Sequence, residues 1–387
     1  MGQSRPPNPT LHPPTPLPRS ADNPQSPTVL APHRGHPHST TKAARVVRVG
    51  TQTRPKAGCP PTHPHPHPHP HPHAHPKPHR TWRQALLTAA TVAALTAAAH
   101  PHIPAPTPAT LPTLTPATLQ ATYKANRENA THAAHMAASH GDNHRATADR
   151  TLATRNLLTF DGRGPGQATE VLGDPTHADH IAVLVPGSDT SLDTYARFHR
   201  TAVALYKAAH RTNPRTAVIA WLGYKTPATV STTVTTTTRA DQAAHQLRAF
   251  IRELRGITPT PTTHISLLCH SYGSVVCARS APALPVDDIV LLGSPGTAAD
   301  TVAALHTPAR VWAARGSKDW VAHVPHIRAG LLLATVGFGT DPVSHAFGAR
   351  VFDAADADHS GYFTPGSVSL ANLARITLGE TSEVTRG

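Results

Sequence analysis

A serine held at a sharp turn between a strand and a helix becomes a nucleophile when a base reaches it and a third group orients the base. Residues 269–273 read Cys-His-Ser-Tyr-Gly, after the apolar run HISLL and before SVVCARS. This pattern predicts a strand–turn–helix elbow with Ser271 at its tip, where small flanking residues relieve a strained turn and let the helix pack close to the strand. The first position of the motif, where glycine is the usual residue, is Cys269. Cysteine is small enough for the turn but less permissive than glycine. Two partners follow in the chain order serine, acid, histidine. Asp319 ends Gly316-Ser317-Lys318-Asp319, just after the run ARVWAARG, and His359 lies in Asp358-His359-Ser360-Gly361-Tyr362 after the last predicted strand.

Other residues compete for these roles. Asp341 is the second candidate acid, in a Gly-rich segment that reads as a mobile loop over the site. His323, His326 and His345 are also downstream of Ser271, but only His359 follows the final strand. Asp356 and Asp358 are so near His359 that they are expected to shape its loop. Acyl transfer also needs amide donors aimed at the developing oxyanion. Tyr272, immediately after the nucleophile, is expected to supply one. The loop Val185-Pro186-Gly187-Ser188-Asp189-Thr190 is expected to supply the other from Gly187 or Ser188, because glycine allows close backbone approach. Trp221 and Tyr224, in Trp221-Leu222-Gly223-Tyr224, leave another strand at its carboxyl end. They are candidates to line a substrate pocket, with core packing as the equal alternative.

These residues must be positioned by a sheet. From residue 157 onward short apolar runs alternate with helical patterns, which predicts an α/β fold with a mostly parallel sheet and helices on both faces. Segments 157–160 and 168–172 read as a hairpin. Segments 181–185, 217–221, 264–269, 289–292, 310–313 and 349–352 read as strands. Helices are predicted at 192–209, 239–254, 272–279, 298–305 and 368–378, and a polar helix at 119–148 packing on the edge of the domain. Cys269 and Cys277 fall in a strand and a helix and read as small buried hydrophobes. A bridge between them is compatible with the sequence, but nothing in it asks for one.

The chain has 387 residues, with 41 prolines and 30 histidines. These are concentrated early. Eleven of the 35 Lys and Arg, but only one of the 22 acids, precede residue 101, so the basic charge belongs to the N-terminal region. Residues 1–80 read as a disordered Pro/His-rich tail, because proline at every second position forbids helix and sheet pairing. Aromatics that could stack on bases are nearly absent there, which argues against a nucleic-acid partner. Its alternating His and Pro could take up metal opportunistically, but a site of defined geometry needs ligands fixed by a fold. Residues 81–118 combine an Ala-rich apolar run at 82–99 with a Pro/Thr linker. The run resembles a secretory signal or anchor and offers a membrane contact, with a soluble helix as the alternative. Residues 119–387 form the catalytic domain in this reading.

The stretch from about 123 to 378 resembles the actinobacterial α/β-hydrolase family whose domain carries no assigned function. The carrying blocks are LGDPTHADHIAVLVPGSDTSLDTY, AVIAWLGYKTP, LLCHSYGSVV, DDIVLLGSPG, FGTDPVSHAFGARVF and DHSGYF, in that order. The resemblance implies the α/β-hydrolase fold, a hydrolase reaction, and Ser271, Asp319 and His359 as its triad. Cys269 and Lys318 depart from the expected pattern. Together these readings predict a serine hydrolase, esterase- or lipase-like, cleaving a small-molecule or lipid-like ester, thioester or amide through an acyl-enzyme. No cofactor is required. The alternatives are a non-catalytic scaffold on a hydrolase fold and a metal-sequestering protein.

Overall fold

The computed structural model describes residues 104–229, 237–323, 329–331, 334–336 and 338–387. The predicted tail, its His-Pro run and the apolar run at 82–99 lie outside these residues. Among the described residues, no helix is long and apolar enough to cross a membrane.

The strands are β1 (Leu157–Asp161), β2 (Gln167–Leu172), β3 (His180–Val185), β4 (Thr216–Leu222), β5 (His264–His270), β6 (Asp288–Leu292), β7 (Arg310–Ala314), β8 (Ala329–Leu331), β9 (Ala334–Val336) and β10 (Arg350–Val351). The helices are α1 (Leu119–Ser139), α2 (Asn143–Leu152), α3 (Tyr195–Thr212), α4 (Thr238–Ile257), α5 (Gly273–Ser280) and α6 (Val368–Thr377). Eight strands form one sheet in the order β1-β2-β4-β3-β5-β6-β7-β10. The hairpin strand β2 joins β4 antiparallel, and every pairing from β4 to β10 is parallel.

Continuous apolar runs form the central strands because both sheet faces are covered. Successive side chains point to opposite faces. Ile181, Val183, Val185, Ile265 and Leu267 therefore pack with α4 and α5, whereas Ala182, Leu184, Leu268, Val290 and Leu292 pack with α3 and α6. Helix α3 buries Tyr195, Phe198, Ala202, Leu205 and Ala209, the three- and four-residue spacing of one helical face.

The single helix expected over 119–148 is instead two. Gly141, at φ +80°, ends the first, and the Asp142 side chain caps the second by accepting from Arg145 N at 2.9 Å. The pair closes the sheet edge. Asn126 Nδ2 donates to the Leu157 and Leu158 carbonyls at 3.0 and 2.9 Å, using acceptors that an edge strand would leave open. Arg145, 1% exposed, forms a two-pronged bond to Asp193 and donates to the Gly162 and Gly164 carbonyls.

The helix expected at 298–305 also differs, being reduced to a 3-10 turn at Ala303–Leu305. The N–H groups of Thr297 and Ala298 donate to the Phe338 carbonyl, and Ala298 sits at φ +61°, so the segment is pinned to a distant part of the chain. The short antiparallel pair β8–β9 was not anticipated from the sequence.

The guanidinium of Arg145 is engaged by Asp193 and the Gly162 and Gly164 carbonyls, and one oxygen of the buried Asp149 has no hydrogen-bond partner. Burial pushes the Asp149 carboxyl up to about 7, although Arg145 pulls the other way. The folded state thus holds a proton that the unfolded chain releases near the ordinary value of 3.8. Stability from this group is complete at low pH and is lost as pH rises through about 7, by on the order of 4 kcal/mol at most. Asp149→Asn mimics the protonated form. It is expected to leave stability unchanged near pH 4 and to raise the midpoint of thermal unfolding at pH 8. Denaturation scans of both proteins across pH 4–8 check this, and parallel curves would contradict it.

Candidate active site

Strand β5 ends at His270 and helix α5 begins at Gly273, leaving Ser271 in the turn at φ +54°. A non-glycine residue in the left-handed region stores strain, which the surroundings must overcome. Here they do. Ser271 N donates to Leu292 O at 2.8 Å, and Ser271 O accepts from Ser274 N at 2.9 Å. Gly273 is required by contact, because a Cβ there would lie 2.6 Å from the Val185 carbonyl oxygen and 2.7 Å from that of Pro186.

Cys269 is absent from the residues of positive φ, so glycine's freedom is not needed at that position. Cys269 and Cys277 are both fully buried and are joined by a disulfide, with Cα atoms 6.4 Å apart. This corrects the reading of the two as separate small hydrophobes. The bridge ties the strand leading into the elbow to the helix leading out of it.

Three loops at the carboxyl edge of the sheet converge on Ser271. His359 Nε2 lies 3.0 Å from Ser271 Oγ, and His359 Nδ1 lies 2.9 and 3.1 Å from the two carboxylate oxygens of Asp319. A carboxylate only accepts, so His359 carries its proton on Nδ1 and presents Nε2 as an acceptor to the serine hydroxyl. Asp319 is 1% exposed and also accepts from Tyr362 OH at 2.5 Å and Val321 N at 2.9 Å. Burial raises its pKa, but the bonds from His359, Tyr362 and Val321 outweigh burial and hold the carboxyl below its ordinary range. It is built to stay ionised.

Asp341 does not reach this group. Its carboxylate accepts from Arg315 Nη1 at 2.6 Å and from Val343 N at 3.1 Å. His323 and His345 are exposed, and His326 lies outside the described residues. Asp358 accepts from Ser360 N and so shapes the loop that carries His359. Lys318 pairs with Asp356 at 2.7 Å on the exposed side, and Ser317 N donates to Ala355 O. The unexpected lysine thus helps lace the acid loop to the histidine loop.

Gly187 packs against Ser271. A Cβ there would lie 2.7 Å from Ser271 Cβ. Ser188 follows, partly exposed, and Tyr272 is the N-cap residue of the elbow helix. Trp221 and Tyr224 pack in the core, the second of the two readings open for them. Each is 2% exposed, their rings stack at 5.9 Å, and Tyr224 OH donates to the Pro186 carbonyl at 2.7 Å. Tyr224 thereby braces the Pro186–Gly187 turn, and Trp221 stacks on Phe250 of α4.

Four residues escaped the motif reading. His270 donates from Nε2 to the His359 carbonyl at 2.6 Å, and the two rings lie 4.7 Å apart. Burial and the neighbouring His359 push its pKa down to about 4, so it is a neutral tether for the histidine loop. Tyr362 braces Asp319 while accepting from Gly316 N. Gly293, at φ +51°, leaves room for the acid and the histidine, since a Cβ there would meet Asp319 Oδ2 at 2.5 Å and His359 Nδ1 at 3.0 Å. Trp320 lies with its ring 4.7 Å from that of His359. A glycine just past the carboxyl end of a strand was a usable signal for Gly293. Nothing local marked the other three.

Comparison with known proteins agrees with this architecture. A protein family described as Alpha/beta hydrolase matches residues 161–329. The chain is 32% identical over 248 residues to the uncharacterized protein Rv2079 of Mycobacterium tuberculosis, covering 56% of this chain but 37% of that protein. It is also 32% identical over 136 residues to the uncharacterized protein Rv0963c of the same species, covering 33% of this chain and 51% of that one. The chain therefore spans about a third to a half of the length of these curated relatives. Among solved structures, the esterase PE8 is similar at 18% identity and a TM-score of 0.40, over 56% of this chain and 99% of that one. With its eight-stranded, mostly parallel sheet and helices on both faces, the chain has the α/β-hydrolase fold.

Proposed function

We propose that this domain is a serine hydrolase that cleaves carboxylic esters through an acyl-enzyme on Ser271. The observation that carries the reading is the unbroken hydrogen-bonded line from Asp319 through His359 to Ser271 at a strained elbow. In the first step Ser271 Oγ attacks the carbonyl carbon while its proton passes to His359 Nε2. The tetrahedral oxyanion accepts hydrogen bonds from the amide of Tyr272 and from an amide of the Gly187–Ser188 turn. The bond to the leaving alcohol then breaks, and the alcohol oxygen takes the proton from His359. Water repeats the sequence on the acyl-enzyme. Asp319 stays ionised throughout, orienting the imidazole and stabilising the imidazolium.

The substrate in this reading is a small or lipid-like acyl compound. Thioester and amide cleavage would use the same groups. A non-catalytic scaffold would have no need for a nucleophile in a left-handed conformation bonded to a base that an ionised acid orients. Labelling with a fluorophosphonate probe, followed by peptide mapping, tests the reading. A single adduct on Ser271 is expected, and a chain that stays unlabelled at Ser271 while folded refutes it.

A further inference from the structure

Trp320 is the most exposed of the large hydrophobic side chains among the described residues, at 51%, whereas Trp221 and Trp312 are at 2% and 5%. An indole normally contributes by burying a large area, so one left in water calls for a physical account. Its backbone is not loose. Trp320 opens a 3-10 turn between Asp319 and Val321, each 1% exposed, and Val321 N is bonded to Asp319 Oδ1 at 2.9 Å. Two anchored neighbours hold the indole outward, with its ring 4.7 Å from the His359 ring at a tilt of 52°.

That position matters because of where the leaving group must sit. The alcohol oxygen takes its proton from His359 Nε2, so the alcohol portion of an ester has to lie against His359. The carbonyl oxygen faces the Gly187 turn, which packs on Ser271, and the acyl portion takes the remaining direction at the carbonyl carbon, away from His359. A rigid aromatic face beside His359 therefore meets the alcohol. Resting on the serine-hydrolase reading above, we infer that Trp320 is a specificity-determining residue. It forms a platform on which the leaving group stacks, and it selects esters of aromatic or extended apolar alcohols over esters of small ones.

The test compares the wild-type chain with Trp320→Ala and Trp320→Phe on 2-naphthyl acetate, ethyl acetate and ethyl hexanoate. The quantity read is the kcat/KM ratio of naphthyl to ethyl acetate in each variant divided by that ratio in the wild type. This quotient cancels the different intrinsic reactivity of the two leaving groups. Loss of one stacked ring contact is expected to lower it about tenfold in Trp320→Ala, and Trp320→Phe is expected to retain most of the preference. The ratio of hexanoate to acetate ethyl esters is expected to stay unchanged, since the acyl chain lies elsewhere. Half the indole is already in water, so its removal leaves no large cavity, and circular dichroism checks the fold. Fluorophosphonate labelling separates the two possible failures. Absence of a Ser271 adduct in the wild type overturns the hydrolase reading itself. Normal Ser271 labelling with equal losses on all three esters, with no losses, or with a loss that follows the acyl chain overturns the platform alone.

Discussion

Ser271→Ala is expected to abolish turnover of a p-nitrophenyl ester while leaving the fold intact. The Ser271 hydroxyl lies 3.0 Å from His359 Nε2, close enough to pass its proton to that nitrogen during attack on a carbonyl. Removing the nucleophile of a serine hydrolase typically costs about six orders of magnitude in kcat, because the remaining groups have no partner to activate. The backbone of the elbow does not depend on that hydroxyl. Its hydrogen bonds to Leu292 O and from Ser274 N use main-chain atoms, and the flanking disulfide ties the two sides together. Alanine at φ +54° carries the same Cβ penalty as serine, so stability should change little. Steady-state assay with circular dichroism checks both halves. Full activity in a folded variant would remove Ser271 from the reaction.

Asp319→Asn is expected to lower kcat by on the order of 10⁴ with little change in KM, whereas Asp341→Asn is expected to stay within a few fold of the wild type. The reason lies in the tautomer. An ionised Asp319 accepts the Nδ1 proton of His359, which leaves Nε2 free to take the serine proton. An asparagine that turns its amide N–H toward His359 would favour the opposite tautomer and block the base. Tyr362 OH and Val321 N donate to different oxygens of Asp319, and the one carbonyl oxygen of asparagine keeps one of these two bonds, which holds the side chain so that substrate binding should persist. Asp341 instead accepts from Arg315 and Val343 N, and its loss should act on that loop. Assay of both variants on one ester decides. A large loss confined to kcat in Asp341→Asn, with Asp319→Asn near normal, would reassign the acid.

The strand runs were legible because a strand buried on both faces must be apolar throughout, and boundaries read from the sequence for β3 to β7 fall within one residue of those observed at each end. The elbow was legible because its geometry demands particular residues at fixed spacing, as Gly273 shows. Segment 298–305 differs from its expected helix because Ala298 N bonds to Phe338 O and Val302 N to Phe347 O, far away in the chain, and no local pattern reports those partners. The break at Gly141 was missed because the pattern on either side is helical, and only the glycine's positive φ with the Asp142 cap separates the two helices.

By itself the sequence determined an α/β-hydrolase fold and nominated a serine, an acid and a histidine in an order that fold can use. It could do so because periodicity and turn chemistry are local properties. What surrounds each side chain is not local and depends on how distant segments pack. Trp221 and Tyr224 lie in the core and Trp320 in the open, although all three lie at or beyond the carboxyl ends of strands β4 and β7. Cys269 and Cys277 meet because α5 folds back onto β5. Asp319 is chosen over Asp341 by the packing of the loops around Tyr362 and Val321, which fixes which carboxylate faces His359.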